Sequence, residues 1–215
     1  MIPAKYLYAD TEEFLEPFQT LREGDILLFN EREPVIVVPN FDSKIIRKFY
    51  HEATSVIGDA KTIGEKAEGL WLFVSKSIIN GEVKPSVVEP APAHSTHPEQ
   101  INLEKVLKRG IFTNNRQGSC KVKSPILCIL YTMDRIPYVP KTGQVYDPYG
   151  LLVKYGILHE NPNGGLHHWT KVKTEEGYEL ADPTLGIFGN YERLTKMYGY
   201  TELRHPILRV VEYTN

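Results

Sequence analysis

The sequence predicts an α+β domain in which one central helix packs on an antiparallel sheet, and three observations predict it. Apolar stripes of helical period recur along the chain up to residue 133. Strand-like runs, two of them joined by a short polar turn, follow between residues 137 and 181. A glycine turn ending in Cys120, a strand opening at His167 and a strand closing at Asp182 occur in an order that lets a helix start meet the ends of a hairpin.

Taken in order, residues 10–18 place acidic residues behind Asp10 or Thr11, a short helix start interrupted by Pro17. Residues 25–29 and 34–38 are apolar runs flanking a polar loop, the spacing of a loose hairpin. A helix is predicted over 43–57 with Asp42 or Ser43 as cap, and a second over 64–79 with Ala67, Leu70, Trp71, Val74 and Ile78 on one stripe. Residues 83–97 contain Pro85, Pro90 and Pro92 and predict an extended surface loop, the best candidate for a lid. A helix over 101–110 ends in Lys108, Arg109 and Gly110, where cations and a glycine suit a C-terminus. Strands are predicted over 137–139, 168–173 and 178–181, with 207–213 as a closing strand.

A chain of 215 residues suits one domain, with residues 1–60 as an N-terminal extension, 64–184 as the core and 185–215 as a C-terminal helix and closing strand. With 25 basic and 27 acidic residues there is no cationic excess to neutralise phosphates, which argues against nucleic acid as a partner. No apolar run approaches the ~20 residues that span a bilayer, and the N-terminus lacks a secretory pattern. The two cysteines lie eight apart on one expected helix, roughly 12 Å along its axis, too far for a disulfide. Two free thiols imply a reducing, cytoplasmic setting. His94 and His97 stand in the proline-rich stretch without a third ligand and are expected to be solvated, so neither metal nor cofactor is expected.

The chemistry concentrates at three places. The polar turn 114–119 feeds Cys120 into a segment whose apolar residues Val122, Ile126, Ile129, Leu130 and Met133 keep helical spacing. A cysteine at a helix N-terminus meets unpaired backbone N–H groups and the positive end of the helix dipole, which favour thiolate and can receive an oxyanion. His167 opens one strand of a hairpin and Asp182 closes the other, so the carboxylate can fix the imidazole tautomer. His168 competes with His167, but neighbours on a strand face opposite sides and only one can face the thiol.

These motifs, Gly118-Ser119-Cys120, His167-His168-Trp169 and Asp182-Pro183-Thr184, resemble those of the transglutaminase-like superfamily of papain-like thiol enzymes. The resemblance runs over residues 64–184, including Ile136-Pro137-Tyr138-Val139 after the cysteine helix. It implies Cys120 as nucleophile, His167 as general base and Asp182 as the residue that holds it. Arg135 stands where the family often has glycine, and Lys121 follows the cysteine where a carboxylate or aromatic is usual. Pro125 falls inside the proposed helix, so the helix is either kinked there or begins a turn later.

Other readings stand beside these. Gln117 is an oxyanion donor or a plain polar turn residue, and Trp169, on the same side as His167, walls a cleft or fills a core. Cys128, between Leu127 and Ile129, is expected to be packing. The function expected from the resemblance is acyl transfer on an amide of a protein, peptide or small molecule through a thioester, with hydrolysis favoured. The alternative is a non-catalytic protein-binding module, which would tolerate Cys120→Ser. An arylamine acetyltransferase is disfavoured because the Arg-Gly-Gly lead-in to its cysteine is absent.

Overall fold

A computed structural model describes residues 5–8, 21–27, 34–80, 85–91, 98–113, 117–146, 167–204 and 207–211. The predicted helix start at 10–18 and the pair His94 and His97 lie outside these residues. Helix α1 (Lys44–Ile57) starts where Ser43 Oγ accepts the Ile46 N–H at 3.2 Å. Helix α2 (Ile63–Ser77) opens on a reciprocal capping box, Thr62 Oγ1 accepting from the Glu65 N–H and the Glu65 carboxylate from the Thr62 N–H, both at 3.1 Å. The two helices pack together, with the rings of Phe49 and Phe73 5.0 Å apart between centroids.

Helix α3 (Leu103–Thr113) is capped by Asn102 Oδ1, which accepts the Lys105 N–H at 2.9 Å. It runs past Gly110, where the sequence predicts an end, because a single internal glycine costs a helix only about 1 kcal/mol. Within the predicted loop, residues 85–91 form regular structure: β5 (Val88–Pro90) pairs antiparallel with β6 (Glu99–Ile101). Glu89 anchors it, accepting hydrogen bonds from Asn102 at 2.8 Å and Gln100 at 3.1 Å and pairing with Lys105 at 2.5 Å, and Val87 is buried. Residues 85–91 are therefore tied down rather than poised as a lid.

Helix α4 (Cys120–Met133) starts at the cysteine and continues through Pro125, so the later start is not adopted. It is buried on all sides from Val122 to Tyr131, the pattern of a helix enclosed by other elements. Tyr131 donates to the Ala67 carbonyl of α2 at 3.0 Å. On its other side α4 meets the main sheet, built from β8 (Tyr138–Val145), β9 (His167–Thr174), β10 (Gly177–Asp182), β11 (Ile187–Asn190) and β12 (Tyr200–Arg204) in the order β11-β10-β9-β8-β12. All four pairings are antiparallel.

Strand alternation divides the sheet's two faces. Thr170 and Val172 face α4, the Thr170 hydroxyl lying 3.4 Å from Cys128 Sγ. Trp169 and Leu180 face away, into a second cluster with Tyr191 and Leu194 of α5 (Tyr191–Tyr198). A smaller sheet combines β1 (Lys5–Tyr8), β2 (Ile26–Leu27), β3 (Ile36–Val37) and the tail strand β13 (Ile207–Val211), so the tail closes the N-terminal sheet rather than the main one. Among the described residues no helix is long and apolar enough to cross a membrane.

Candidate active site

The start of β9 and the end of β10 lie at one end of the main sheet because the strands run antiparallel, with Ala181 opposite Thr170. His167 and Asp182 therefore meet diagonally across the pair. His167 Nε2 lies 2.5 Å from Asp182 Oδ2, and Cys120, at the first position of α4, is near enough to the same imidazole to act on its charge. With Nε2 engaged by the carboxylate, Nδ1 is the nitrogen left for the thiol. His167 and Asp182 are in direct contact, and Cys120 lies within electrostatic reach of the imidazole.

Asp182 is fully buried and satisfied on both oxygens. Oδ1 accepts the N–H groups of Thr184 at 2.9 Å and Leu185 at 3.0 Å, the backbone capture that a turn-forming aspartate makes. Oδ2 accepts from His167 and from the Tyr200 hydroxyl at 2.7 Å. Burial alone would raise this carboxyl, but the His167 charge and these hydrogen bonds hold it below the usual carboxylate range. For His167 burial works downward, and the Asp182 carboxylate followed by Cys120 outweighs it, lifting the imidazole to about 10.

Trp169 is fully buried, so it belongs to the core and does not wall an open cleft. It stacks behind His167 at 6.3 Å and 18°, meets Tyr200 edge-on at 4.9 Å, and donates its indole N–H to Tyr191 Oη at 3.3 Å. This packing holds the imidazole plane from behind. Gln117 belongs to β7 (Gln117–Gly118), which pairs in parallel with β4 (Ile79–Asn80) and so fixes the turn entering Cys120. Asn80 Nδ2 donates to the Thr184 carbonyl at 3.0 Å, tying the same short strand to the turn after Asp182.

The second members of each pair face elsewhere. His168 is buried on the opposite face of β9, its Nδ1 3.0 Å from Thr142 Oγ1. Cys128 is buried in the core and burial pushes its thiol up to about 12, which suppresses thiolate at neutral pH. Tyr200, Asn80 and Lys123 escape a reading of the sequence alone. Lys123 had one visible signal, a charge at a helical position flanked by apolar residues. Tyr200 lies beyond the motifs and had none.

No family model matches the sequence, and no curated protein does. Among solved structures the chain is similar to a candidate cysteine protease from Cytophaga hutchinsonii, with a TM-score of 0.45 and 13% identity over 74% of this chain. The match takes in 41% of that protein, so this chain spans well under half its length.

Proposed function

We propose that the chain is a transglutaminase-like thiol enzyme that cleaves or transfers an acyl group from an amide of a protein, peptide or small molecule. What supports the reading is an imidazole hydrogen-bonded to a buried carboxylate, with the thiol at the start of α4 close enough to act on its charge. His167 takes the proton of Cys120 through Nδ1, and the thiolate attacks the amide carbonyl carbon. The oxyanion forms beside the N–H groups at the start of α4. Collapse of the intermediate breaks the C–N bond, His167 returns the proton to the departing amine, and water then resolves the thioester. Asp182 holds Nε2–H throughout and so keeps Nδ1 as the basic nitrogen.

Iodoacetamide labelling followed by peptide mass spectrometry tests the reading. Cys120 is expected to label much faster than Cys128, and more slowly after His167→Ala. Equal labelling of the two thiols would remove the basis for a thiol enzyme.

A further inference from the structure

Lys123 lies three residues after Cys120 on α4, a spacing of about 4.5 Å along the axis that puts both side chains on neighbouring positions of one helix flank. It is only 2% exposed, in a helix where Val122, Ile126 and Leu127 are buried as well. Lysine is rarely buried to this degree, because an ammonium taken from water loses several kcal/mol of hydration.

Its partners come from two other segments. Nζ donates to the Ser75 carbonyl at 3.3 Å and to the Pro183 carbonyl at 3.2 Å. Ser75 stands in the last turn of α2, where carbonyls lack helical donors and carry the negative end of the dipole. Pro183 directly follows Asp182, whose carboxylate draws the ammonium toward its charged form while burial pulls it down to about 8. Burial is the larger influence and Asp182 opposes it. An apolar side chain of similar length would fill the space without that cost, and such replacements of buried ionic groups are often neutral or stabilising. Packing alone does not account for a cation here.

The geometry points to Lys123 as a positioning residue of the thiol site: it pins the Asp182 turn and the end of α2 to the nucleophile helix, and supplies a positive charge near Asp182 and one helical turn from Cys120. The inference rests on the thiol-enzyme reading above. The groups around the ammonium are the Asp182 carboxylate at the end of β10, the α2 carbonyl end and the Pro183 carbonyl. Beyond Asp182 stand the imidazole of His167 on β9 and the hydroxyl of Tyr200 on β12. A positive charge among them favours the anionic nucleophile, so removing it moves the acid limb of nucleophile reactivity to higher pH.

The test is the pH dependence of iodoacetamide labelling at Cys120 in the full chain, compared with Lys123→Met and Lys123→Gln. Glutamine keeps N–H donors for the carbonyls while losing the charge, so it serves should methionine fail to fold. Both variants are expected to shift the acid limb upward by about half a pH unit and to slow labelling about threefold on that limb. A limb that stays in place in a folded variant overturns the inference, because a purely structural lysine would change stability and leave the profile unmoved. If Cys120 of the unaltered chain labels no faster than Cys128, the thiol-enzyme reading itself fails and takes this inference with it.

Discussion

The hydroxyl of Tyr200 donates at 2.7 Å to Oδ2 of Asp182, the oxygen that also receives His167 Nε2. One carboxylate oxygen thus serves two side chains from two strands, β9 and β12, that flank β8 on either side. The tyrosine ring also lies edge-on to Trp169, so its position is set by packing as well as by the hydrogen bond. Tyr200→Phe keeps the ring and removes only the donor. It is expected to destabilise the fold by about 1.5–3 kcal/mol, the range for a hydrogen bond to a charged group, and to slow Cys120 labelling. Urea unfolding alongside labelling kinetics checks this, and values matching the unaltered chain would mean the hydroxyl does nothing for the carboxylate.

The paired shifts at His167 and Asp182 give stability a pH signature. A base held above its unfolded value of about 6.5 stabilises the fold fully below that pH and loses the contribution as pH rises through the folded value. For His167 the loss extends up to about pH 10. Asp182 is held low, so its contribution exists above the unfolded value of about 3.9 and disappears as pH falls through the folded value. Both contributions are complete between about pH 4 and 6.5. His167→Gln should therefore cost most stability in that window and progressively less toward pH 10. Urea midpoints for both chains at pH 5.5, 8 and 10 measure this, and a difference that stays constant with pH would contradict the assignment.

Much of the site was legible because it depends on local geometry. Strand alternation separates His167 from His168, a glycine turn marks the helix start at Cys120, and the Glu175-Glu176 turn fixes the hairpin that aligns His167 with Asp182. What was illegible depends on contacts between distant segments. Strand β8 extends to Val145, although Pro140, Lys141 and Gly143 carry little strand propensity, because β9 and β12 pair with it on both edges. Trp169 was open between cleft and core, and Tyr191, Leu194 and Tyr200 settle it as core by closing over it from the C-terminal region. The ordering of residues 85–91 likewise needs Asn102 and Lys105, which no local pattern links to Glu89.

Gly143 is opposite His167 on one side and Glu202 on the other. A Cβ there would stand 1.9 Å from the Thr201 carbonyl oxygen and 2.7 Å from the Trp169 ring. The backbone contact cannot be relieved by rotating a side chain, so β12 must move away from β8 and carry Tyr200 with it. Gly143→Ala is expected to cost about 3 kcal/mol, at the upper end for overpacking, and to slow Cys120 labelling beyond the effect of Tyr200→Phe. A chain with unfolding energy within about 0.5 kcal/mol of the original would show that the approach of the strands is not fixed.

Arg135 takes φ 58°, the left-handed conformation, immediately after the end of α4. Its N–H donates to the Thr132 carbonyl at 3.2 Å and the next N–H, of Ile136, to the Tyr131 carbonyl at 2.9 Å, the two bonds of a Schellman ending. Asp134, the C-cap, meanwhile accepts from Tyr50 at 2.9 Å and pairs with Lys66 at 3.6 Å, so α1 and α2 hold the helix end in place. A residue with a Cβ pays about 1–2 kcal/mol for this conformation, whereas glycine enters it freely but loses more entropy on folding. The balance favours glycine, because both capping bonds use backbone atoms and survive the change. Arg135→Gly should therefore stabilise the chain by about 0.5–1 kcal/mol without altering Cys120 labelling, since the substitution lies at the far end of α4 from the thiol. Thermal and urea unfolding measure the gain, and a loss of stability would mean that the arginine side chain contributes more than its backbone strain costs.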